Sequence, residues 1–94
     1  MENIFVRLLK MDEHFNKIEK RWTFRSTEEI KDFFIEFETI NYRNRFDKAD
    51  KGGGIDTSDE LVDYFKQRRN FDELEVISKR GEKSYYLVRN VNRL

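Results

Sequence analysis

Apolar and charged residues alternate near the start of the chain. Residues 3–11 form an apolar run with β-branched members, and residues 17–25 interleave Ile, Trp and Phe with charged side chains. An alternation with a period of two is typical of a strand that buries one face. We therefore predict two strands joined by a short turn. The apolar residues of 3–25 also recur at spacings of three and four, so one long helix is the alternative.

The middle of the chain has helical periodicity. Residues 26–29, Ser-Thr-Glu-Glu, match a capping box, which marks a helix start. The apolar residues that follow predict one amphipathic helix from Ser26 to about Arg45. Its main stripe comprises Ile30, Phe33, Phe34, Phe37 and Ile40. A second row comprises Ile35, Tyr42 and Phe46. Since this row lies well over 100° around the helix from the stripe, we expect it to contact a partner.

A second helix is predicted from Thr57 to about Asn70. Its start, TSDELVDYF, resembles STEEIKDFF of the first helix, and we interpret the likeness as convergence on the same helix-start chemistry. Residues 74–80 and 83–91 read as two strands around a turn at Gly81. The chain therefore ends in a predicted hairpin.

The predicted elements run in the order ββααββ. They indicate an α+β fold in a single domain, residues 1–94, with a four-stranded antiparallel sheet packed by two helices. A winged helix-turn-helix domain is the alternative. The length of 94 residues suffices for one hydrophobic core and not for two.

The segment DKADKGGGIDTSDE, residues 47–60, has the acids of a metal loop and the glycines of a phosphate loop. It fails as an EF-hand because Ala49 and Lys51 stand where oxygen ligands are needed, and it lacks the Lys-Ser/Thr pair of a P-loop. Acids beside the second helix start stabilise its positive end and would repel an anion. We therefore predict a flexible hinge between two helices.

The composition adds limits on location and chemistry. Basic and acidic residues number 19 each, so no net charge draws the chain towards nucleic acid or a lipid surface. There is no Cys, which excludes disulfides and thiolate metal sites, and no apolar stretch approaches the roughly 20 residues of a membrane span. The start of the chain lacks the pattern of a signal peptide. We expect a cytoplasmic protein with no membrane contact.

No group of residues has the spacing of a catalytic site. His14 is the only histidine and lies in the predicted turn, without a nucleophile or a second base at a useful spacing. The acids between Asp47 and Asp63 lack a companion base or nucleophile. We therefore expect a protein that is not an enzyme and that holds no cofactor and no metal.

Residues 76–90, VISKRGEKSYYLVRN, resemble the β-hairpin wing of winged-helix transcription regulators, in which a basic glycine turn follows the recognition helix. This resemblance covers about a sixth of the chain and implies DNA binding. The helix before the hairpin departs from the family, because Asp59, Glu60 and Asp63 stand where phosphates would approach. The residues left for nucleic acid are Lys66, Arg68, Arg69, Lys79, Arg80 and Lys83.

The whole chain is similar in size and composition to small proteins of phages and mobile elements, among them inhibitors of the anti-CRISPR type. It is short, rich in Lys, Asn, Ile and Phe, and has neither Cys nor Pro. The resemblance implies a module that binds a host nucleic-acid enzyme, such as a CRISPR nuclease, in the bacterial cytoplasm. The candidate partner-binding residues are Ile35, Tyr42, Phe46, Asp47, Asp50, Asp56, Asp59, Arg68 and Arg69. Acidic members could imitate a nucleic-acid backbone, and exposed Tyr and Arg suit interfaces.

Overall fold

Six strands form one antiparallel sheet, and both helices pack on the same face of it. A computed structural model describes residues 6–56 and 58–90, with the backbone alone for Ser58. The strands are β1 (Val6–Met11), β2 (Ile18–Phe24), β3 (Phe37–Asn44), β4 (Gly53–Ile55), β5 (Asp72–Ser78) and β6 (Lys83–Asn90). The helices are α1 (Thr27–Phe33) and α2 (Ser58–Lys66). The sheet order is β2-β1-β6-β5-β3-β4.

Both predicted hairpins are confirmed. β1 and β2 pair antiparallel with Leu8 opposite Trp22, which excludes the single helix considered for residues 3–25. β5 and β6 pair around the turn at Gly81, which has a φ of +83°. The predicted start of the first helix is also correct, since the Ser26 hydroxyl accepts a hydrogen bond from the Glu29 amide at 3.2 Å. Residues 3–5, Thr57 and Val91, which belong to predicted elements, lie outside the described residues.

The predicted four-stranded sheet and the long first helix are wrong. α1 ends at Phe33, the chain turns, and Phe37–Asn44 form β3, which lies between β5 and β4 in the sheet. This segment alternates, and Thr39, Ile40 and Tyr42 favour strands while its asparagines disfavour helix interiors. The apolar spacing that suggested one long helix spans two elements, the short helix α1 and the strand β3.

The predicted hinge between two helices is also wrong, because β3 precedes the glycines and two of them belong to an edge strand. Gly53 and Gly54 lie in β4 opposite Tyr42 and Asn41. Gly52 has a φ of +71°, and a Cβ there would lie 2.2 Å from the Tyr42 carbonyl oxygen. Glycine is required for this left-handed conformation and close approach. The segment therefore connects two strands, β3 and β4, and then leads into α2.

The winged-helix alternative is also wrong. α2 packs against the sheet through Leu61, Tyr64 and Phe65, which are all buried. The C-terminal hairpin that resembled a wing forms the two central strands of the sheet, with β1 beside β6 and β3 beside β5. A wing projects from its domain, whereas this hairpin has a paired strand on each side.

The hydrophobic core lies between the helices and one face of the sheet. The alternation along each strand directs residues such as Leu8, Leu74, Val76 and Val88 into it, and all four are almost completely buried. Its aromatic part comprises Trp22, Phe24, Phe33, Phe34, Phe37, Tyr42, Tyr64, Phe65 and Tyr86.

A second, smaller cluster lies on the opposite face of the sheet. Leu9, Met11 and Leu87 are buried there beneath Phe15 and Tyr85, whose rings meet edge to face at 5.6 Å. Phe15 has a φ of +56°, so the β1–β2 turn folds its ring back onto the sheet. The remainder of this face, which we call the open face, carries no helix within the described residues.

The sheet has approximate two-fold internal symmetry. The unit β1-β2-α1 and the unit β3-β4-α2 flank the central hairpin in mirrored strand order. Buried residues at matching places are 31 positions apart in the sequence: Phe24 and Ile55, Ile30 and Leu61, Phe34 and Phe65. The nine-residue likeness of the two helix starts has the same spacing. The two helix starts therefore occupy equivalent places in the fold.

Candidate functional site

An apolar cleft opens where the end of α1, the end of β4 and the start of α2 meet. Its volume is about 340 Å³. It is lined by Lys31, Asp32, Phe34, Ile35, Phe37, Glu38, Ile40, Ile55, Asp56 and Leu61. We call it the α1–α2 cleft.

A tight turn after α1 places one apolar side chain in solvent. The Ile35 amide donates to the Asp32 carbonyl at 3.4 Å, and the Phe37 amide donates to the Phe34 carbonyl at 3.0 Å. Within this turn the Phe34 ring points into the core, while the Ile35 side chain is 65% exposed. Ile35 therefore stands at the cleft mouth as an exposed aliphatic side chain.

The cleft floor is part of the main core. Ile40 and Ile55 lie directly opposite each other on β3 and β4, and Leu61 of α2 and Phe34 are buried beside them. Within the described residues, β4 is an edge strand that pairs with β3 alone, and the cleft lies beside it. A fixed apolar floor beside such an edge is a common setting for docking an extended segment.

The rim of the cleft is predominantly negative. Asp32, Glu38 and Asp56 are exposed, and Lys31 is the one cation among the lining residues. The Asp56 amide donates to a Glu60 carboxylate oxygen at 2.8 Å, which fixes the chain where it enters α2. The cleft therefore combines an apolar floor with a carboxylate rim.

A second polar cluster lies beneath the end of α2 and has a structural role. Asp72 is completely buried. One of its carboxylate oxygens accepts hydrogen bonds from the Tyr64 hydroxyl at 2.6 Å and from the Arg69 Nε–H, and the other accepts one from the side-chain nitrogen of Asn44 at 2.9 Å. Arg69 also pairs with Asp50 at 2.6 Å. We call these five residues the Asp72 network.

The electrostatics of the Asp72 network follow from its burial and its donors. Burial and the neighbouring Asp72 carboxylate raise the pKa of the Tyr64 hydroxyl. The backbone amides of Asn44 and Gly52 donate to Asp50 at 2.9 and 3.1 Å and lower the pKa of that carboxyl, as Arg69 also does. The network therefore joins a neutral Tyr64 phenol to the Asp72 carboxyl group, and the Arg69 guanidinium links that carboxyl group to Asp50.

The nine residues predicted to bind a partner do not form one surface. Ile35 and Asp56 line the α1–α2 cleft, and Asp59 is exposed in the first turn of α2. Asp50 and Arg69 belong to the Asp72 network. The half-buried Tyr42 packs against the core, with the Arg69 guanidinium 4.8 Å from its ring.

The other predicted residues lie in loops. Phe46 and Asp47 follow β3, and the Phe46 ring contacts Phe71 at 5.0 Å. Arg68 follows α2 with a φ of +56°. Their role in binding a partner stays a prediction.

The six basic residues predicted for nucleic acid fall into two groups. Lys66, Arg68 and Arg69 lie at the end of α2, near the start of β5. Lys79 and Arg80 in the β5–β6 turn and Lys83 at the start of β6 lie at the other end of β5, about 20 Å away at 3.3 Å per residue. They do not line one groove.

Asp72 is the residue that sequence reasoning missed. It precedes Leu74 and Val76 at the same alternation, so the period of two places it on the buried face of β5. A carboxylate at a buried strand position requires donors. That pattern was the available signal for the network.

No protein-family model, no curated protein and no solved structure matches this chain. Within residues 6–56 and 58–90 there is no group of three or more His, Asp or Glu placed to hold a metal ion. His14 is exposed in the β1–β2 turn, 3.5 Å from the Glu13 carboxylate. No helix in the described part of the chain is long and apolar enough to cross a bilayer.

Proposed function

We propose that this chain is a protein-binding module without catalytic chemistry, and that the α1–α2 cleft receives its partner. The observation that carries the proposal is Ile35, an aliphatic residue 65% exposed at the mouth of a cleft with a buried apolar floor. Apolar anchors surrounded by polar groups are the usual centres of binding energy in protein interfaces.

The charges of the rim indicate which partner the cleft fits. The rim carries three carboxylates and one lysine: Asp32, Glu38, Asp56 and Lys31. They complement a partner segment that carries an apolar side chain flanked by Lys or Arg. Enzymes that bind nucleic acid present Lys and Arg to phosphates, and an acidic rim can occupy such a surface. The proposed role is therefore inhibition of a host nucleic-acid enzyme, in the manner of anti-CRISPR proteins.

The test uses two exposed isoleucines as a matched pair. Ile35→Ser removes the aliphatic group at the cleft, and Ile18→Ser removes one that is 41% exposed at the start of β2. We expect a purified CRISPR nuclease to be inhibited at equimolar protein, Ile35→Ser to lose this inhibition, and Ile18→Ser to retain it. Equal effects of the two variants, or inhibition that survives Ile35→Ser, would contradict the assignment to the cleft.

A second measurement tests whether the cleft binds a basic segment, and it does not depend on the nuclease being the target. Peptides with one Leu between Lys residues and peptides with Leu between Glu residues are titrated against ¹⁵N-labelled protein. We expect the basic peptides to shift the amides of Ile35, Asp56 and Leu61, and the acidic peptides to leave them unchanged. Shifts confined to other surfaces would remove the cleft from the proposal.

A further inference from the structure

The open face of the sheet carries a cluster of arginines beside two phenylalanines in edge-to-face contact. Arg7 and Arg89 are directly opposite on β1 and β6, and Arg21 lies diagonally from Arg7 on β2. Their strand neighbours Leu8, Val88 and Trp22 face the helices, so these three arginines share the open face. With Phe46 and Phe71 they form what we call the arginine–phenylalanine patch.

Among the described residues, no acidic side chain lies directly opposite Arg7 or Arg21 on a paired strand. Like charges directly opposite on adjacent strands repel each other. Arg7 lies between Thr23 of β2 and Arg89 of β6. Arg21 lies opposite Leu9 of β1. Within residues 6–56 and 58–90, neither Arg7 nor Arg21 forms an ion pair or a side-chain hydrogen bond. Such an arrangement favours a bound polyanion.

Arg89 is held in a fixed orientation. Its guanidinium lies 4.2 Å from the centre of the Phe71 ring, and its Nε–H donates to the Asn70 side-chain oxygen at 3.1 Å. The same Asn70 oxygen accepts the Asn90 amide at 3.1 Å, which ties the arginine to the strand backbone. Less side-chain freedom is therefore lost when Arg89 contacts a ligand.

In the aromatic part of the patch, Phe46 is open to solvent and Phe71 is half-buried. Phe46 is 67% exposed, and its ring meets Phe71 edge to face at 5.0 Å. Phe71 has a φ of +62°, a strained conformation for this residue, and it is held by hydrogen bonds from its amide to Val88 and to its carbonyl from Arg45, both 2.8 Å. The chain thus fixes an aromatic pair at the border of an arginine cluster.

We propose that the arginine–phenylalanine patch binds single-stranded nucleic acid. Arginines that follow the backbone and aromatic rings that stack on bases are the two components of such sites. The bases of a duplex are stacked on each other and cannot stack on Phe46, so the exposed ring favours a single strand. The patch lies on the face of the sheet opposite the helices, and its function is independent of the α1–α2 cleft.

The binding test uses a labelled oligothymidylate of about 16 nucleotides and the corresponding duplex. Fluorescence anisotropy at several salt concentrations gives the affinity and its salt dependence. We expect the single strand to bind more tightly than the duplex, and its affinity to fall as salt rises. Absence of binding at low salt, or a preference for the duplex, would overturn the proposal.

Three variants separate the contributions. Arg7→Glu should make the negative slope of log affinity against log salt shallower by about 0.7 or more. This is the value for one lost contact with a single strand. Phe46→Ala should weaken binding about tenfold, because one base loses its stacking partner. Arg80→Glu, in the β5–β6 turn at the end of the sheet away from Arg89, makes the same charge change as Arg7→Glu and should leave binding nearly unchanged.

Two controls complete the design. Far-ultraviolet circular dichroism and melting curves establish that each variant is folded, and Arg7→Gln replaces Arg7→Glu if the latter does not fold. Inorganic polyphosphate replaces the oligonucleotide in a parallel titration. Phe46→Ala should not change polyphosphate binding. If Arg80→Glu weakens binding as much as Arg7→Glu, or if Phe46→Ala binds the oligonucleotide like the wild type, the patch is not the site.

Discussion

The two outer units of the sheet have the same order of elements but differ in what stabilises them. In the unit β1-β2-α1, the edge strand has seven residues, and Trp22 and Phe33 pack edge to face at 4.9 Å. In the unit β3-β4-α2, the edge strand has three residues, and Tyr64 replaces Phe33 at the matching position, with its hydroxyl bonded to Asp72. The first unit depends on aromatic packing, and the second also depends on buried hydrogen bonds and charges.

This difference shows how one topology can be stabilised by two kinds of interaction. A long strand forms enough ladder bonds and contacts to hold an edge. A three-residue strand forms few, and the loop before it is instead held by Asp50 and Arg69. Removing a buried partner from a polar network leaves charges unpaired, whereas removing a ring leaves a cavity. The units should therefore fail in different ways when they are mutated.

Replacing either of two matched core phenylalanines by alanine should cause the largest loss of stability. The loss should be similar in the two units. Phe34 contacts Phe65 with a ring separation of 6.2 Å, and each is about 95% buried. Phe34→Ala and Phe65→Ala should each destabilise the protein by about 3 to 5 kcal/mol, because each leaves a cavity. Urea denaturation gives both values. If one substitution lowers the free energy of unfolding by less than half as much as the other, the two units do not contribute equally to the core.

Removing Asp72 of β5 should destabilise the protein by disrupting the network that ties the second unit to the central hairpin. Asp72→Ala leaves the Arg69 guanidinium and the Tyr64 hydroxyl without their buried acceptor. We expect a loss of about 3 kcal/mol, the scale for breaking one side of a buried ion pair. Glu19→Ala, on the exposed part of β2, should change stability by less than about 0.5 kcal/mol. A loss for Asp72→Ala as small as that of the control would show that the network contributes little.

The sequence predicted those parts of the fold in which the local pattern and the tertiary pairing agree. The hairpin of β1 and β2, the capping box at Ser26 and the hairpin of β5 and β6 are of this kind. In each, alternation or a cap fixes the element without knowledge of its neighbours. The helix starting near residue 58 was predicted for the same reason.

Residues 34–55 could not be assigned from local pattern alone. Phe37 and Ile40 satisfy the helical spacing from Ile30, yet pairing with β5 makes them a strand. If residues 37–44 are assigned to a helix, the glycines that follow have no strand to pair with and are interpreted as a hinge. The error at β3 therefore caused the error at β4. The candidate site was affected in the same way: Ile35 and Asp56 come together only because β3 and β4 return the chain to α1.

Tyr64→Phe sharpens the comparison because it gives the second unit the residue type of the first. The ring stays in the core, and Asp72 loses one of its donors while keeping Arg69 and Asn44. We expect a loss of about 2 kcal/mol, within the range for a hydrogen bond to a charged group. A double-mutant cycle with Asp72→Asn measures the coupling of the two side chains. A coupling of zero would mean that the hydroxyl acts without Asp72.

The smallest expected effect concerns acid stability and compares the two hairpin loops. Asp12 accepts backbone amides from Asn16 and Lys17, and Asp50 accepts those from Asn44 and Gly52. These donors lower the pKa of both carboxyls below the ordinary 3.8. A group with a lowered folded-state pKa stabilises the protein above pH 3.8, and this stabilisation is lost as pH falls through the folded value.

Asp50 should contribute more to this acid dependence than Asp12, since it also pairs with Arg69 at 2.6 Å. Asp50→Asn should therefore flatten the fall of the melting temperature between about pH 4 and pH 2 more than Asp12→Asn does. Melting curves from pH 2 to pH 7 provide the measurement, and the two variants serve as controls for each other. If Asp12→Asn flattens the profile as much, local backbone hydrogen bonds alone set the acid response, and the ionic part of the second unit adds nothing to it.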